Sequence, residues 1–171
     1  VTYQVGALQA FATRRGLPLQ HVKPHGALYN MAVRDTEISN AIAEVISGLD
    51  ENLILVALAG PNRDDLAAIS KHHSIRFAFE FFADRAYNPD GSLVSRKLPG
   101  AVLHDDGAVA ERVIKLVETG TVAAVDGTEI ELKANTICVH GDNPEALALV
   151  KKVRASLADS EIPVRPMGAF L

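Results

Sequence analysis

The sequence predicts an α/β fold with a mainly parallel sheet and one β-hairpin insertion. Three observations carry that prediction. Apolar runs of strand length, Leu53 to Leu58 and Thr136 to Val139, read as buried strands. Segments with helical apolar spacing lie between and around them. Strands and helices alternate along most of the chain, the order that parallel βαβ units require.

Taken in order, Val5, Leu8, Phe11 and Ala12 recur at helical spacing, with Gly16 and Pro18 as stop signals. Leu19 to Lys23 is a short extended run broken at Pro24. Asp35 or Thr36 can cap a helix whose stripe is Ile38, Ala41, Ile42, Val45, Ile46 and Leu49, with Gly48 near its end. Asn62 to His73 reads as a further helix. Ile75 to Phe82 alternates Ile75, Phe77, Phe79 and Phe81 against Arg76, Ala78, Glu80 and Phe82, which is strand periodicity. Asn88-Pro89-Asp90-Gly91 marks a turn. Asp105 or Asp106 opens a helix carrying Val109, Val113, Leu116 and Val117, closed by Gly120. Val122 to Leu132 centres on Asp126-Gly127, a hairpin signal of the primed-turn type. Asn143 is the expected cap of the last long helix, with Pro144 at its first position and Leu147, Val150 and Val153 inward. Glu161 to Leu171 is read as a short strand or a tail.

With 171 residues the chain suits a single domain, 1–171, and a complete eight-fold barrel of ~250 residues does not fit. Hydrophobic residues at 48% and charged residues at 22% exclude a disordered or fibrous chain. A net charge of −4, with 17 Lys and Arg scattered along the sequence, argues against a nucleic-acid partner. The one cysteine, Cys138, permits no internal disulfide and no cysteine-built metal site, which fits a reducing, cytoplasmic compartment. No apolar run approaches the ~20 residues that span a bilayer, so no membrane role is expected. The chain opens Val1-Thr2-Tyr3 without an initiator Met, and residues upstream are expected to have been lost.

Chemistry concentrates in three places. In VKPHGALYN (22–30), Lys23 and His25 flank Pro24 where a strand ends, the edge at which parallel sheets bind ligands. Lys offers a fixed charge for a carboxylate or phosphate, His a proton carrier, and Gly26 close backbone approach. Taken in isolation, the tripeptide reads more readily as a surface Lys and a His tied to a loop carbonyl. The second place is His140-Gly141-Asp142, directly after a strand, where a base, a water-positioning pair or a metal ligand would suit. The third is Glu80, Asp84, Arg85 and Tyr87, with Arg96 beyond the turn; either a ligand site or a loop clamp, Asp84–Arg96 or Glu80–Arg85, satisfies the pattern. His72-His73 is read as a solvated helix end. No Walker loop, GxSxG, HExxH or GxGxxG occurs.

Read together and in order, VTYQVGAL, VKPHGALYN, ALAG, EFFADRAYNPDGSLVSR and ICVHGDNPEAL strongly resemble the LamB/YcsF family over essentially the whole chain. The resemblance implies an irregular (β/α) barrel of the glycoside hydrolase/deacetylase type, here partial. It implies the work of the A subunit of an ATP-dependent 5-oxoprolinase, opening 5-oxo-L-proline to L-glutamate beside the B and C subunits. Family members open with an NxDxGE stretch and with GFHAGD and HP loops; none occurs here, so the chain is expected to lack that N-terminal part. Carried over by motif are Lys23, His25 and Asn30, then Asp84, Arg85 and Arg96, then His140 with Asp142. Lys23, Asn30, Arg85 and Arg96 would bind substrate; His25, His140, Asp84 and Asp142 would be catalytic. ATP is the implied co-substrate, while a divalent metal and homo-oligomerisation stay open. Two other readings stand beside this one: a metal-dependent deacetylase or amidohydrolase of small amides or sugars, and an inactive truncated chain serving only in assembly.

Overall fold

The computed structural model describes residues 1–141 and 144–171. The chain gathers into two compact units. The first comprises Val1–Leu58, Asn62–Phe79 and Met167–Leu171; the second comprises Ala59–Pro61 and Glu80–Pro166.

In the first unit, helix α1 (Thr2–Thr13) leads to the two-residue strand β1 (His21–Val22). Helices α2 (Ala27–Arg34) and α3 (Thr36–Leu49) follow, then β2 (Ile54–Leu58) and α4 (Arg63–His73). Asp35 caps α3, its carboxylate accepting from the Glu37 N–H at 3.0 Å. The face that α3 buries is Ser39, Ile42, Ala43 and Ile46, which shares Ile42 and Ile46 with the stripe the sequence marks but is rotated away from Ala41, which is exposed. β1 and β2 run parallel, with His21 opposite Ile54 and Val22 opposite Leu55. β2 carries the centre of the core: Leu53, Ile54, Leu55, Val56 and Leu58 are all buried. The C-terminal residues end in a short 3-10 turn, Met167–Ala169, so this segment is a tail and not a strand. Met167 and Leu171 pack on Ile54, Val56 and Ala78, and the Arg76 guanidinium donates to the Leu171 carbonyl at 3.1 Å.

Helix α1 forms where the apolar spacing marks it and packs on α3, burying only Val5; Leu8 and Phe11 are 59% and 74% exposed. One element is missing from the sequence reading: its signals give no helix between Pro24 and Asp35, whereas α2 starts immediately after Gly26.

Strand β3 (Arg76–Phe82) runs from the first unit into the second, which continues with α5 (Asp106–Thr119), β4 (Thr121–Ala123), β5 (Glu129–Glu131), β6 (Thr136–Cys138) and α6 (Ala146–Asp159). The larger sheet has the order β1-β2-β3-β6, and β6 pairs parallel to β3. β3 forms where the periodicity marks a strand, and every residue from Phe77 to Phe82 is buried, because a parallel strand is covered on both faces. Conversely β6, at the sheet edge with one neighbour, is half-buried throughout instead of fully enclosed.

Asp105 caps α5 by accepting from the Ala108 N–H at 2.9 Å, and Gly120 ends it in the left-handed region. The β4–β5 hairpin is present at the expected place but with a different turn. Only Gly127 has positive φ, +85°, and its N–H returns to the Ala124 carbonyl at 3.0 Å. That is a type I turn followed by a left-handed glycine, since a primed turn would need Asp126 in the left-handed region as well. The last helix begins at Ala146, not at Pro144, and buries Ala146, Leu149, Val153 and Leu157. Leu147 and Val150 are 65% and 38% exposed because α6 packs on α5 through the other stripe. The cap assigned to Asn143 and the site role assigned to Asp142 lie outside the described residues.

Candidate active site

Parallel pairing of β3 and β6 sets Phe82 opposite Cys138. Continuing that register two residues past the strand ends brings Asp84 opposite His140. There the pair closes: His140 Nδ1 lies 3.0 and 2.9 Å from the two Asp84 carboxylate oxygens, and the His140 backbone N–H donates to Asp84 Oδ2 at 3.2 Å. Asp84 is 2% exposed, while the His140 side chain keeps about a fifth of its surface open. Burial pushes the Asp84 carboxyl up, but hydrogen bonds from the His140 ring and backbone, with the charge of its ring, outweigh that and hold it below the usual 3.8.

The geometry fixes the imidazole. An ionised carboxylate can only accept, so Nδ1 carries a proton, and in the neutral imidazole the lone pair is then on Nε2. Phe82 stacks on the ring with centroids 5.2 Å apart and planes 25° from parallel, which limits rotation. A half-open imidazole with a fixed tautomer and a buried carboxylate behind it is an arrangement for taking a proton from water or a substrate group.

Around the pair, the loop is tied down by arginines. Arg85 is 6% exposed; its Nε donates to the Ala101 carbonyl at 3.1 Å and one terminal nitrogen donates to the Val94 carbonyl. Arg85 therefore clamps backbone on the far side of the turn, and Asp84 takes His140 as its partner. Burial and the nearby Arg96 charge lower the Arg85 pKa, although Arg96 itself is exposed. Arg112, from α5, reaches the carbonyls of Ala83 and Arg85 at 3.0 and 2.9 Å and that of Phe82 at 3.5 Å. Tyr87 is fully buried, and its hydroxyl accepts from the Phe82 N–H at 3.0 Å; burial pushes its pKa upward. Arg112 is the residue that sequence reasoning missed. Its signal was an arginine beside the inward stripe of Val109, Val113 and Leu116, where a solvated charge has no place.

In the first unit, the loop after β1 holds Lys23 and His25, and Asn30 lies in the first turn of α2. Gly26 has φ +60° and ψ −128°, a conformation that side chains resist, and it starts α2. The Asn30 amide donates back to the Gly26 carbonyl at 3.1 Å, closing the loop on itself. Lys23 Nζ lies 5.7 Å from the centroid of the buried Tyr29 ring, and His25 is exposed. His73, at the end of α4, meets Asn40 Oδ1 at 2.9 Å. Among the described residues no three His, Cys, Asp or Glu side chains stand together as a metal site, and no helix is long and apolar enough to cross a membrane.

Known proteins share both the sequence and the fold. The chain is 50% identical to the A subunit of 5-oxoprolinase from Thermococcus onnurineus over 171 residues, all of this chain and 66% of that protein. It is 48% identical to the corresponding 5-oxoprolinase A subunit of Pyrococcus abyssi over the same 171 residues, again 66% of the relative. Its fold matches the crystal structure of the lactam utilization protein from Thermus thermophilus, with a TM-score of 0.85 and 40% identity over 96% of this chain and 64% of that one. The chain thus spans about two thirds of the length of these relatives. The LamB/YcsF family description fits residues 1–171 without remainder, and with the parallel sheet, the hairpin and the fold match all in agreement, the chain belongs to the LamB/YcsF family.

Proposed function

We propose that this chain works as the A subunit of an ATP-dependent 5-oxoprolinase, opening the cyclic amide 5-oxo-L-proline to L-glutamate in the cytoplasm together with the B and C subunits. Relatives bearing that name, at 50% and 48% identity, support the reading, and the Asp84–His140 pair carries it chemically. On this reading residues 1–171 form one working domain, part of an irregular barrel of the deacetylase type.

A lactam carbonyl is a poor electrophile at neutral pH, and bound ATP supplies phosphoryl chemistry that activates it. The chain's own residues supply the proton traffic. Asp84 keeps the proton on His140 Nδ1, so Nε2 is the atom that takes a proton from the attacking water. His140 then carries that proton toward the departing ring nitrogen, as a base that has become an acid. In this scheme His25 and Asp142 also count as catalytic residues. Lys23, Asn30 and Arg96 are its substrate-binding residues, the two cations matched to the carboxylate of 5-oxoproline or to phosphate; Arg85, expected to join them, is buried and donates to the Ala101 and Val94 carbonyls, so it shapes the loop instead.

The test is ATP-dependent glutamate release from 5-oxoproline by the purified chain mixed with its two partner subunits. His140→Gln is expected to abolish release while co-elution with the partners is retained. Near-normal turnover in that variant removes the pair from the mechanism, and no release from the unmodified mixture overturns the proposal itself.

A further inference from the structure

We propose that Arg112 is a positioning residue for the Asp84–His140 pair: it fixes the backbone that presents Asp84, and so sets where the imidazole stands. The inference rests on the reading of that pair as the acid–base element. The contacts are specific to the task. One guanidinium nitrogen, Nη1, meets the carbonyl oxygens of Ala83 at 3.0 Å and Arg85 at 2.9 Å, the residues immediately before and after Asp84, with Phe82 a weaker third at 3.5 Å.

Three carbonyls turned toward one point repel each other unless a donor lies among them, and a chain leaving a strand has no ladder to supply it. The Asp84 carbonyl points elsewhere, accepting from Leu103 N–H at 2.9 Å, and the Ala83 N–H still reaches the Cys138 carbonyl at 3.0 Å. Asp84 is therefore the residue that the clamp straddles. A change in its backbone position moves the carboxylate relative to both His140 contacts at once.

The guanidinium is itself held. Its carbon lies 4.8 Å from the Phe81 ring centroid and 5.4 Å from that of Tyr87, and those two rings stack with centroids 5.4 Å apart and planes 12° from parallel. Two aromatic faces fix the plane of the fork, and the helix α5 fixes its stem, so the donor arrives preorganised. A loose surface arginine would have neither restraint.

The experiment uses Arg112→Met and Arg112→Lys in the whole chain, read two ways. The first readout is the NMR signature of the His140 imidazole, whose Nδ1–H tautomer and hydrogen-bonded proton report the Asp84 contact directly. The second is the split between kcat and KM for 5-oxoproline with the partner subunits present. Arg112→Met is expected to lose the Nδ1–H signature while keeping its circular dichroism, and to lower kcat by about 10²-fold with KM little changed, as expected for a misplaced reacting group. Arg112→Lys, which returns a donor but not the stacked plane, is expected to fall between Met and the unmodified chain in both. If Arg112→Met does not fold, Arg112→Lys decides alone: a weakened signature and reduced kcat support the proposal. A folded variant with the signature and kcat of the unmodified chain overturns it. Loss of the signature in a chain whose unmodified form releases no glutamate with its partners keeps the positioning role and rejects the functional reading on which its catalytic meaning rests.

Discussion

Asp84 holds His140 at two points, accepting from the ring Nδ1 at 2.9 Å and from the backbone N–H of the same residue at 3.2 Å. One carboxylate thus fixes both the imidazole and the strand end from which it hangs. Removing the charge while keeping the shape separates these two duties.

Asp84→Asn can no longer enforce the Nδ1–H tautomer, because an amide offers a donor as well as an acceptor. ATP-dependent glutamate release with the partner subunits is expected to drop by roughly 10²–10⁴-fold, the usual worth of a positioned proton carrier. An unchanged kcat would show that His140 does not depend on Asp84.

Acid should weaken the folded chain through the same carboxylate. Its folded pKa lies below the ordinary 3.8, so beneath that value the unfolded chain takes up a proton that the folded chain resists. The stabilisation is complete above the ordinary value and is lost as pH falls through the lower, folded one. Urea midpoints at about pH 5 and about pH 3 should therefore differ more for the unmodified chain than for Asp84→Asn. Equal differences would mean that Asp84 contributes nothing to acid sensitivity.

Tyr87→Phe keeps the stacked ring but removes the hydroxyl that the Phe82 N–H donates to at 3.0 Å. A buried, unsatisfied N–H costs about 1–3 kcal/mol, readable as a lower urea midpoint at constant slope. A loss well under that would show that the N–H finds another acceptor.

At the start of α5, Asp105→Ala deletes the acceptor for the Ala108 N–H. The expected cost is about 1 kcal/mol of unfolding free energy, with the site chemistry untouched because no described contact joins Asp105 to Asp84 or His140. Thermal unfolding monitored by circular dichroism measures it.

How much of this was visible in the residues alone follows from the range of each interaction. Caps were visible, because Asp35 and Asp105 act on N–H groups two and three residues away. The hairpin was visible at Asp126-Gly127, but its turn type was not, since either residue tolerates positive φ and only the strand twist and closure decide which one adopts it. The inward stripe of α6 was misjudged because its apolar residues fall on two faces and the packing partner α5 selects one. Asp84 and His140 were each marked as site residues two positions past a strand. The sequence offered Asp84 or Asp142 as the partner of His140 or His25 and could not choose among them, because the pairing depends on the β3–β6 register across 56 positions. Arg112 stayed hidden for the same reason: carbonyls 27 to 30 positions away have no signature in side-chain identity.

The enclosure of β3 has a consequence outside the native state. Phe77, Phe79, Phe81 and Phe82 crowd into seven residues, interrupted by the single charge of Glu80 after Arg76. Once unfolded, that stretch is suited to self-templated strand stacking. Recovery from denaturant should fall as protein concentration rises, and dilution or low temperature during renaturation should raise the yield.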